Sequence, residues 1–510
     1  MSDVCILITS EFPYKMQETF LEDEIPFLAD AFDQIYVFSL DILSEEKKRP
    51  LPANVRSFPI GKISRKSKFR LPAYVLKGLL QPPFFREKTG NPKKFLLKTY
   101  ISGKSQAEYQ IIRKHLKKLL QPEDKVCIYS YWFFDHAMIA CRLKKLLQKE
   151  GYQVKAFSRG HGYDIYSERN AMNYNPFQKP MIKYLDGVYT CSENGRQYLF
   201  RKYGKKLCRG KVMLARLGTL EHGTSMQKDF SKIHFVTCSH LSELKRVSLF
   251  AKAFVEFNEQ VRSMQEPSET SDSRKSPASA NIPDVETFST SANAPDTENR
   301  CSTPANTPDT ENKCSTPANT PDTEDKCSAP ANAPDTENRC STSEKASECR
   351  TPSFLSALAP ENIRWTCMGD GVEAGQIKEI IEKAGLQKQV TFTGRIAHDD
   401  VMKFYSQNEI TFFLNVSTTE GVPVSIMEAQ SFGIPVIATD VGGTSEIVNE
   451  ENGRLLGADL TPEILCEAML QECREENIRR KQKASRADWE KNSYADALYS
   501  RWAAGLAEAL

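Results

Sequence analysis

Residues 410–443 read ITFFLNVSTTEGVPVSIMEAQSFGIPVIATDVGG. An apolar, aromatic-rich run ends at Ser417, a polar turn holds Gly421 and Pro423, a helical pattern starts near Val424, and a second β-branched run opens at Pro435. Such a strand, crossover helix and second strand form the repeating unit of a parallel doubly wound sheet. The second half offers further strands in IHFVTCSHL (233–241), NIRWTCMGDG (362–371) and QVTFTGRI (389–396). The first half offers VCILITS (4–10), QIYVFSL (34–40), KVCIYSYW (125–132), YQVKAFSRG (152–160), GVYTCSE (187–193) and KVMLARLG (211–218), with helices such as MIACRLKKLLQ between them. The expected fold class is therefore α/β, with two Rossmann-like domains facing a cleft.

Five hundred and ten residues exceed one compact core, and the alternation occurs twice, over 1–222 and 223–490. The closing YADALYSRWAAGLAEAL reads as a helix over 491–510 that packs back on the first domain. Between 265 and 353 the composition turns to Ser, Thr, Pro, Asn and Asp, and a 13-residue unit recurs as NAPDTENRCSTPA, NTPDTENKCSTPA and NTPDTEDKCSAPA. With no apolar face to bury, this insert in the second domain reads as disordered. Its cysteines at 301, 314, 327 and 340 lack accompanying histidines, so a metal role is not expected.

Apolar residues make up 40% of the chain, charged ones 26%, and the net charge of +2 points to no partner class. The opening MSDVCILITSEFPY has no cationic start and long apolar run, and about 18 uninterrupted apolar residues occur nowhere, so neither export nor membrane spanning is expected. Cys5, Cys127, Cys238 and Cys367 sit in apolar runs and read as buried thiols of a reducing, cytoplasmic compartment.

In open α/β sheets ligands gather beyond the carboxyl ends of the strands. The densest such loop is STTEGVPVSIMEAQSFG, where Glu420 and Glu428 bracket Gly421, Val422, Pro423 and Val424. Pro423 suits the first turn of a helix, and the free amides and dipole at that start suit a diphosphate. Glu428, about one turn inside, is placed for a ribose diol, and Glu420 nearer a transferred sugar.

The stretch EGVPVSIMEAQSFGIPVIATDVGGTSEIV resembles the signature of glycosyltransferase family 4, whose members have the GT-B fold. The similarity covers most of the chain outside the insert and is strongest over 365–456. It implies a retaining transferase of a polysaccharide-building branch, with Glu420 on the donor sugar and Glu428 on the ribose. Members usually carry an Arg and, five residues on, a Lys that neutralise the diphosphate. In CSHLSELKRV the Lys position is Lys245, but the Arg position is His240, with Arg246 as an alternative cation. The resemblance also implies donor contacts at Gly369 and Gly371 of MGDGVE and at Arg395 of TFTGRI. In SRGHGYDIYSER it puts His161 beside the reaction centre, with Arg159 and Asp164 orienting it or meeting the acceptor. EFPYKMQETFLEDEI and YSYWFFDHA offer Glu18, Tyr131 and Trp132 to an acceptor site, core packing being the other reading for the aromatics.

No Asp-x-Asp occurs in the chain, so neither a metal-bridged diphosphate nor any other cofactor is expected. Residues 61–120 hold sixteen Lys or Arg and two Glu, interleaved with Phe and Leu. That balance suits an anionic membrane surface on the inner leaflet, where a lipid-linked acceptor is the alternative to a saccharide one; a solvated charged face is the other reading. Nucleic acid is not expected, because no binding module accompanies the charge. Two rival readings stand beside it: a nucleotide-sugar epimerase on the same fold, and, from another class, a catalytically silent sugar-nucleotide-binding partner, for which His240 is the main argument.

Overall fold

The computed structural model describes residues 1–15, 18–42, 48–61, 71–80, 84–265 and 353–510. The 13-residue repeats expected to be disordered lie outside the described residues, as do 62–70 and 81–83 of the basic stretch.

The first sheet contains β1 (Asp3–Thr9), β2 (Gln34–Ser39), β3 (Val55–Pro59), β4 (Lys125–Ser130), β5 (Gln153–Gly160), β6 (Gly187–Thr190) and β7 (Val212–Leu214), in the spatial order β3-β2-β1-β4-β5-β6-β7. The second contains β8 (Ile233–Cys238), β9 (Ile363–Met368), β10 (Val390–Gly394), β11 (Phe412–Asn415), β12 (Val436–Thr439) and β13 (Gly453–Leu456), in the order β10-β9-β8-β11-β12-β13. Every pairing is parallel. Strands covered on both faces read as continuous apolar runs, and β1 is buried from Val4 to Thr9. Alternate residues divide between its two faces: Val4, Ile6 and Ile8 join one core, Cys5 and Leu7 the other. The edge strands β3 (VRSFP) and β13 (GRLL) were not among the strands expected. Each has one neighbour, so Arg, Pro and Gly are tolerated and the apolar run is lost.

Helix Ala495–Glu508 lies against the first sheet, where Trp502, Ala503 and Leu506 share a core with Cys5, Leu7, Leu21, Ile25 and Leu28. The chain reaches that position by pairing with the connection between the sheets. Thr219 N–H donates to Ser493 O at 2.9 Å, Ala495 N–H to Thr219 O at 3.1 Å, and Trp489 Nε1 to Thr219 Oγ1 at 2.7 Å.

In each sheet the strand order reverses once, between β1 and β4 and between β8 and β11. Crevices open at such points beyond the carboxyl ends of the strands. The halves touch near these ends: the Glu446 carboxylate accepts the N–H groups of Glu193 (2.8 Å) and Asn194 (2.9 Å), at the start of helix Glu193–Tyr203, and Arg216 at 2.7 Å.

Candidate functional site

At the β8/β11 crevice, Lys245 from the loop after β8 donates its ammonium to Glu420 Oε1 at 2.6 Å. Asn415, the last residue of β11, donates to the same oxygen at 3.3 Å. The Glu420 side chain is only a tenth exposed and that of Lys245 less than a third, so their attraction is weakly screened. The loop meets the first half directly: a Cβ on Gly421 would lie 2.8 Å from the carbonyl oxygen of His161, so no larger residue fits without a shift. Arg169, also from the first half, donates to the Glu420 carbonyl. Asn415 and Arg169 were not among the expected site residues, although Arg169 closes the motif SRGHGYDIYSER.

From Glu420 the chain turns through Gly421, Val422 and Pro423 into helix Val424–Ser431. Pro423 stands at the cap position with extended ψ, one residue ahead of the first-turn position read from the sequence, and no side chain caps the helix. Its first amides and the positive end of its dipole therefore face out of the turn. Glu428 is held by His398, with Nε2 and Oε1 2.9 Å apart. That hydrogen bond, working against burial and helped by the charges of Glu428, Asp23 and Asp399, pushes the His398 pKa up to about 9. Asp23, from helix Phe20–Ala31 of the first half, faces the same pair, and burial raises its pKa to about 7. His222 completes the group, its ring 6.3 Å from that of His398 and its pKa lowered by burial and by His398.

A pH dependence follows. The folded-state pKa of His398 lies above its ordinary 6.5, so its stabilisation is complete below about pH 6.5 and is lost as pH rises through about 9. Asp23 acts in the same sense at lower pH, its raised pKa removing stability as pH climbs from its ordinary 3.8 toward 7. Urea unfolding at about pH 6 and about pH 9.5 should show a loss on the order of 1 kcal/mol from the His398 pair. The His398→Leu protein should lack that upper-window loss, and an unchanged slope would refute the assignment.

His240, Gly369 and Arg395 line one cavity of about 360 Å³ beyond the carboxyl ends of β8, β9 and β10, together with Cys238, Ser239 and Asp370. His240 and Arg395 are exposed there. Gly371 stands one residue beyond Asp370, against the backbone of Leu241. Arg246 is committed elsewhere: its guanidinium binds the carbonyls of Val416 (2.6 Å), Ala458 (3.0 Å) and Ser417 (3.3 Å), tying down the end of β11. Those bonds hold its guanidinium against the second half's own backbone, away from the cavity that His240 lines.

In the first half, the His161 ring lies between Tyr131 and Trp132, with centroids 4.5 and 4.7 Å away. Neither ring nitrogen has a hydrogen-bond partner among the described residues, the nearest carboxylate oxygen, of Asp164, being 3.8 Å from Nδ1. Burial opposes a charge on this ring, but Cys191 and Asp164 outweigh it and raise its pKa. Asp164 is fully buried and accepts the N–H groups of His161 (2.8 Å), Gly162 (2.8 Å) and Phe133 (3.0 Å). Burial would raise its pKa, and these bonds and His161 lower it. Asp164 thus shapes the His161 loop and is out of an acceptor's reach.

Arg159 is fully buried as well, paired with Glu24 and stacked near Trp502, so it belongs to the core and not to the cleft. Glu18, at φ 58°, accepts the N–H groups of Ser10 (2.9 Å), Glu11 (2.7 Å) and Phe12 (2.8 Å) and Trp132 Nε1 (2.6 Å). It locks the loop after β1 to the segment after β4, at the first sheet's own crevice. Tyr131 is wholly buried, whereas Trp132 is part-exposed and stacks near the exposed Tyr163, 5.2 Å away.

Residues 354–495 match the family described as Glycosyl transferases group 1. Over 115 residues, 21% of this chain, the sequence is 36% identical to the lipopolysaccharide core biosynthesis mannosyltransferase LpsB of Rhizobium meliloti, covering 32% of that protein. The chain spans about a third or less of the length of such curated relatives. Among solved structures, sucrose-phosphate synthase from Thermosynechococcus elongatus superposes with a TM-score of 0.56 at 13% identity, over 98% of this chain and 97% of that one. Alr3699/HepE of Anabaena, in complex with UDP, superposes with a TM-score of 0.53 at 12% identity, over 99% and 100%. These likenesses establish the fold: two Rossmann-like domains facing a cleft, the GT-B arrangement.

Proposed function

We propose that the chain is a retaining, metal-independent glycosyltransferase that moves a sugar from a nucleotide-diphosphate donor to a saccharide or lipid-linked acceptor, at the cytoplasmic side of cell-surface polysaccharide or lipopolysaccharide synthesis. The observation that carries this reading is the 2.6 Å contact of Lys245 with Glu420, set between the uncapped start of helix Val424–Ser431 and the His161 loop. The matched family over 354–495 and the mannosyltransferase relative support the class of reaction. The UDP held by Alr3699/HepE makes a uridine nucleotide the first donor to test.

In this reading the donor's base enters the cavity of His240, Gly369 and Arg395, and its ribose meets Glu428. The diphosphate lies on the amides at Val424, with Lys245 turned from Glu420 toward the phosphate oxygens. Charge that builds on the leaving phosphate is met by Lys245, by Arg395 and by amides that need no reorganisation. Glu420 is then free to accept hydrogen bonds from sugar hydroxyls. The acceptor hydroxyl approaches on the face the nucleotide leaves, beside His161 and the Trp132–Tyr163 pair, and a leaving phosphate oxygen takes its proton.

The test is incubation with nucleotide sugars, with and without a membrane extract. Nucleotide release that requires the extract supports transfer. Isomerised donor without extract assigns an epimerase, and a thermal shift with nucleotide but no turnover assigns a silent binding partner.

A further inference from the structure

The segment between β3 and β4 carries a feature that donor chemistry does not use. Helices Leu71–Leu80 and Pro92–Leu119 cross at close range: a Cβ on Gly103 would lie 1.9 Å from Tyr74 O, and one on Gly78 2.2 Å from Thr99 O. Pairing 74 with 103 and 78 with 99 makes the helices antiparallel, which brings 79–80 across from 95–98. Leu76, Leu79, Leu80, Phe95 and Leu96 gather at that end, each between 45% and 74% exposed. They are five of the eleven large apolar side chains exposed among the described residues, so the apolar surface is concentrated there.

The charge of this segment is of one sign. Lys77, Arg86, Lys88, Lys93, Lys94 and Lys98 lie within 71–98 against one acid, Glu87. Glu87 is turned inward, accepting from Tyr174 Oη at 2.7 Å and from the Phe177 N–H at 2.6 Å. A second copy docking on the same face would set like charges against each other. No helix of the described residues is long and apolar enough to cross a membrane. Exposed apolar side chains at one end of a helix pair, in a segment with six cations and one acid, fit the interfacial layer of an anionic bilayer, with Leu and Phe among the upper acyl chains and the lysines among headgroup phosphates.

We infer that the tip formed by Leu76, Leu79, Leu80, Phe95 and Leu96 docks this chain on the surface of an anionic lipid bilayer. The docking bears on the cleft through Glu87, which pins Tyr174 and Phe177 of the segment that begins at His161 and Tyr163. That link to a lipid-borne acceptor rests on the transferase reading; the docking itself does not.

The experiment is co-sedimentation of the full chain with vesicles of equal parts phosphatidylglycerol and phosphatidylcholine, and with vesicles of phosphatidylcholine alone, at low and high salt. Binding should be at least about tenfold stronger on the anionic vesicles and should weaken with salt. Leu79→Ser/Leu80→Ser/Leu96→Ser should lose about tenfold or more, and Lys77→Gln/Lys88→Gln/Lys93→Gln should lose both affinity and its salt dependence. All six side chains are solvent-accessible, and an unchanged melting temperature and nucleotide-induced shift will show that the variants fold. Equal binding to both vesicles, no binding, or leucine-to-serine variants that bind like the original protein overturns the inference. A dimer in light scattering that this leucine variant turns into a monomer also overturns it, assigning the face to a second copy. Nucleotide binding by the same preparation reports on the transferase reading separately.

Discussion

Lys245→Ala and Glu420→Ala are each expected to lower kcat/KM at least tenfold, about 1.4 kcal/mol of transition-state stabilisation. The Lys245 ammonium is the cation that touches the Glu420 carboxylate, and it sits where the loop after β8 faces the start of helix Val424–Ser431. Without a donor the two groups neutralise each other. In the proposed reading, a bound donor draws the ammonium to its diphosphate, and loss of Lys245 leaves the leaving group to Arg395 and backbone amides. Because Lys245→Ala also strips a carboxylate that is a tenth exposed of its main partner, Glu420 keeping the 3.3 Å contact from Asn415, a stability loss must be separated from a catalytic one. Glu420→Gln does this: it removes the charge, keeps one acceptor oxygen and the volume, and should lower kcat with little change in melting temperature. The double variant Lys245→Ala/Glu420→Ala should fall short of the product of the single effects, since one contact is removed in both. The comparison is Lys383→Ala, an exposed lysine paired with Glu379 on its own helix, which should leave the rate unchanged. Near-normal turnover in both single variants would remove the site from this crevice.

How much of this was legible before the structure depends on the range of the interactions. The central strands announced themselves because burial on both faces demands unbroken apolar runs such as VCILIT and KVCIYS. VRSFP and GRLL did not, because an edge strand is free of that demand. The residues of the turn after β11 were readable from local spacing. Their partners were less so: His398 lies 30 residues from Glu428 and Asp23 in the other half of the chain, and no local pattern links them. Glu18 was read as a residue for an acceptor, and its grip on three backbone amides could not be foreseen, since it depends on a left-handed backbone at a residue that rarely adopts one. Arg159 ends a strand just where cleft residues belong. The side it faces, however, is covered by helix Ala495–Glu508, more than 330 residues later, so its burial could not be read locally.

The Glu24–Arg159 pair therefore yields the largest expected effect on stability. Both side chains are wholly buried and in direct contact. Trp502 Nε1 donates to the other Glu24 oxygen at 2.8 Å, and the guanidinium also reaches the carbonyls of Ala215 (3.3 Å) and Arg216 (3.2 Å). The group joins helix Phe20–Ala31, β5, the strand exit after β7 and the C-terminal helix. Glu24→Ala leaves a guanidinium in the core with no counter-charge and an indole N–H with no acceptor, so a loss of about 3–5 kcal/mol in urea unfolding is expected. Arg159→Met should cost less, because a carboxylate beside the indole can take up a proton and stay neutral. If the pair matters through its charge and not its packing, Glu24→Leu/Arg159→Met should recover most of the loss, since apolar replacements of similar volume satisfy the same space. A double variant as unstable as Glu24→Ala would mean that the carbonyls of Ala215 and Arg216 depend on the guanidinium. That outcome would make Arg159 the clamp that holds the connection between the two sheets, with Glu24 its counter-ion alone.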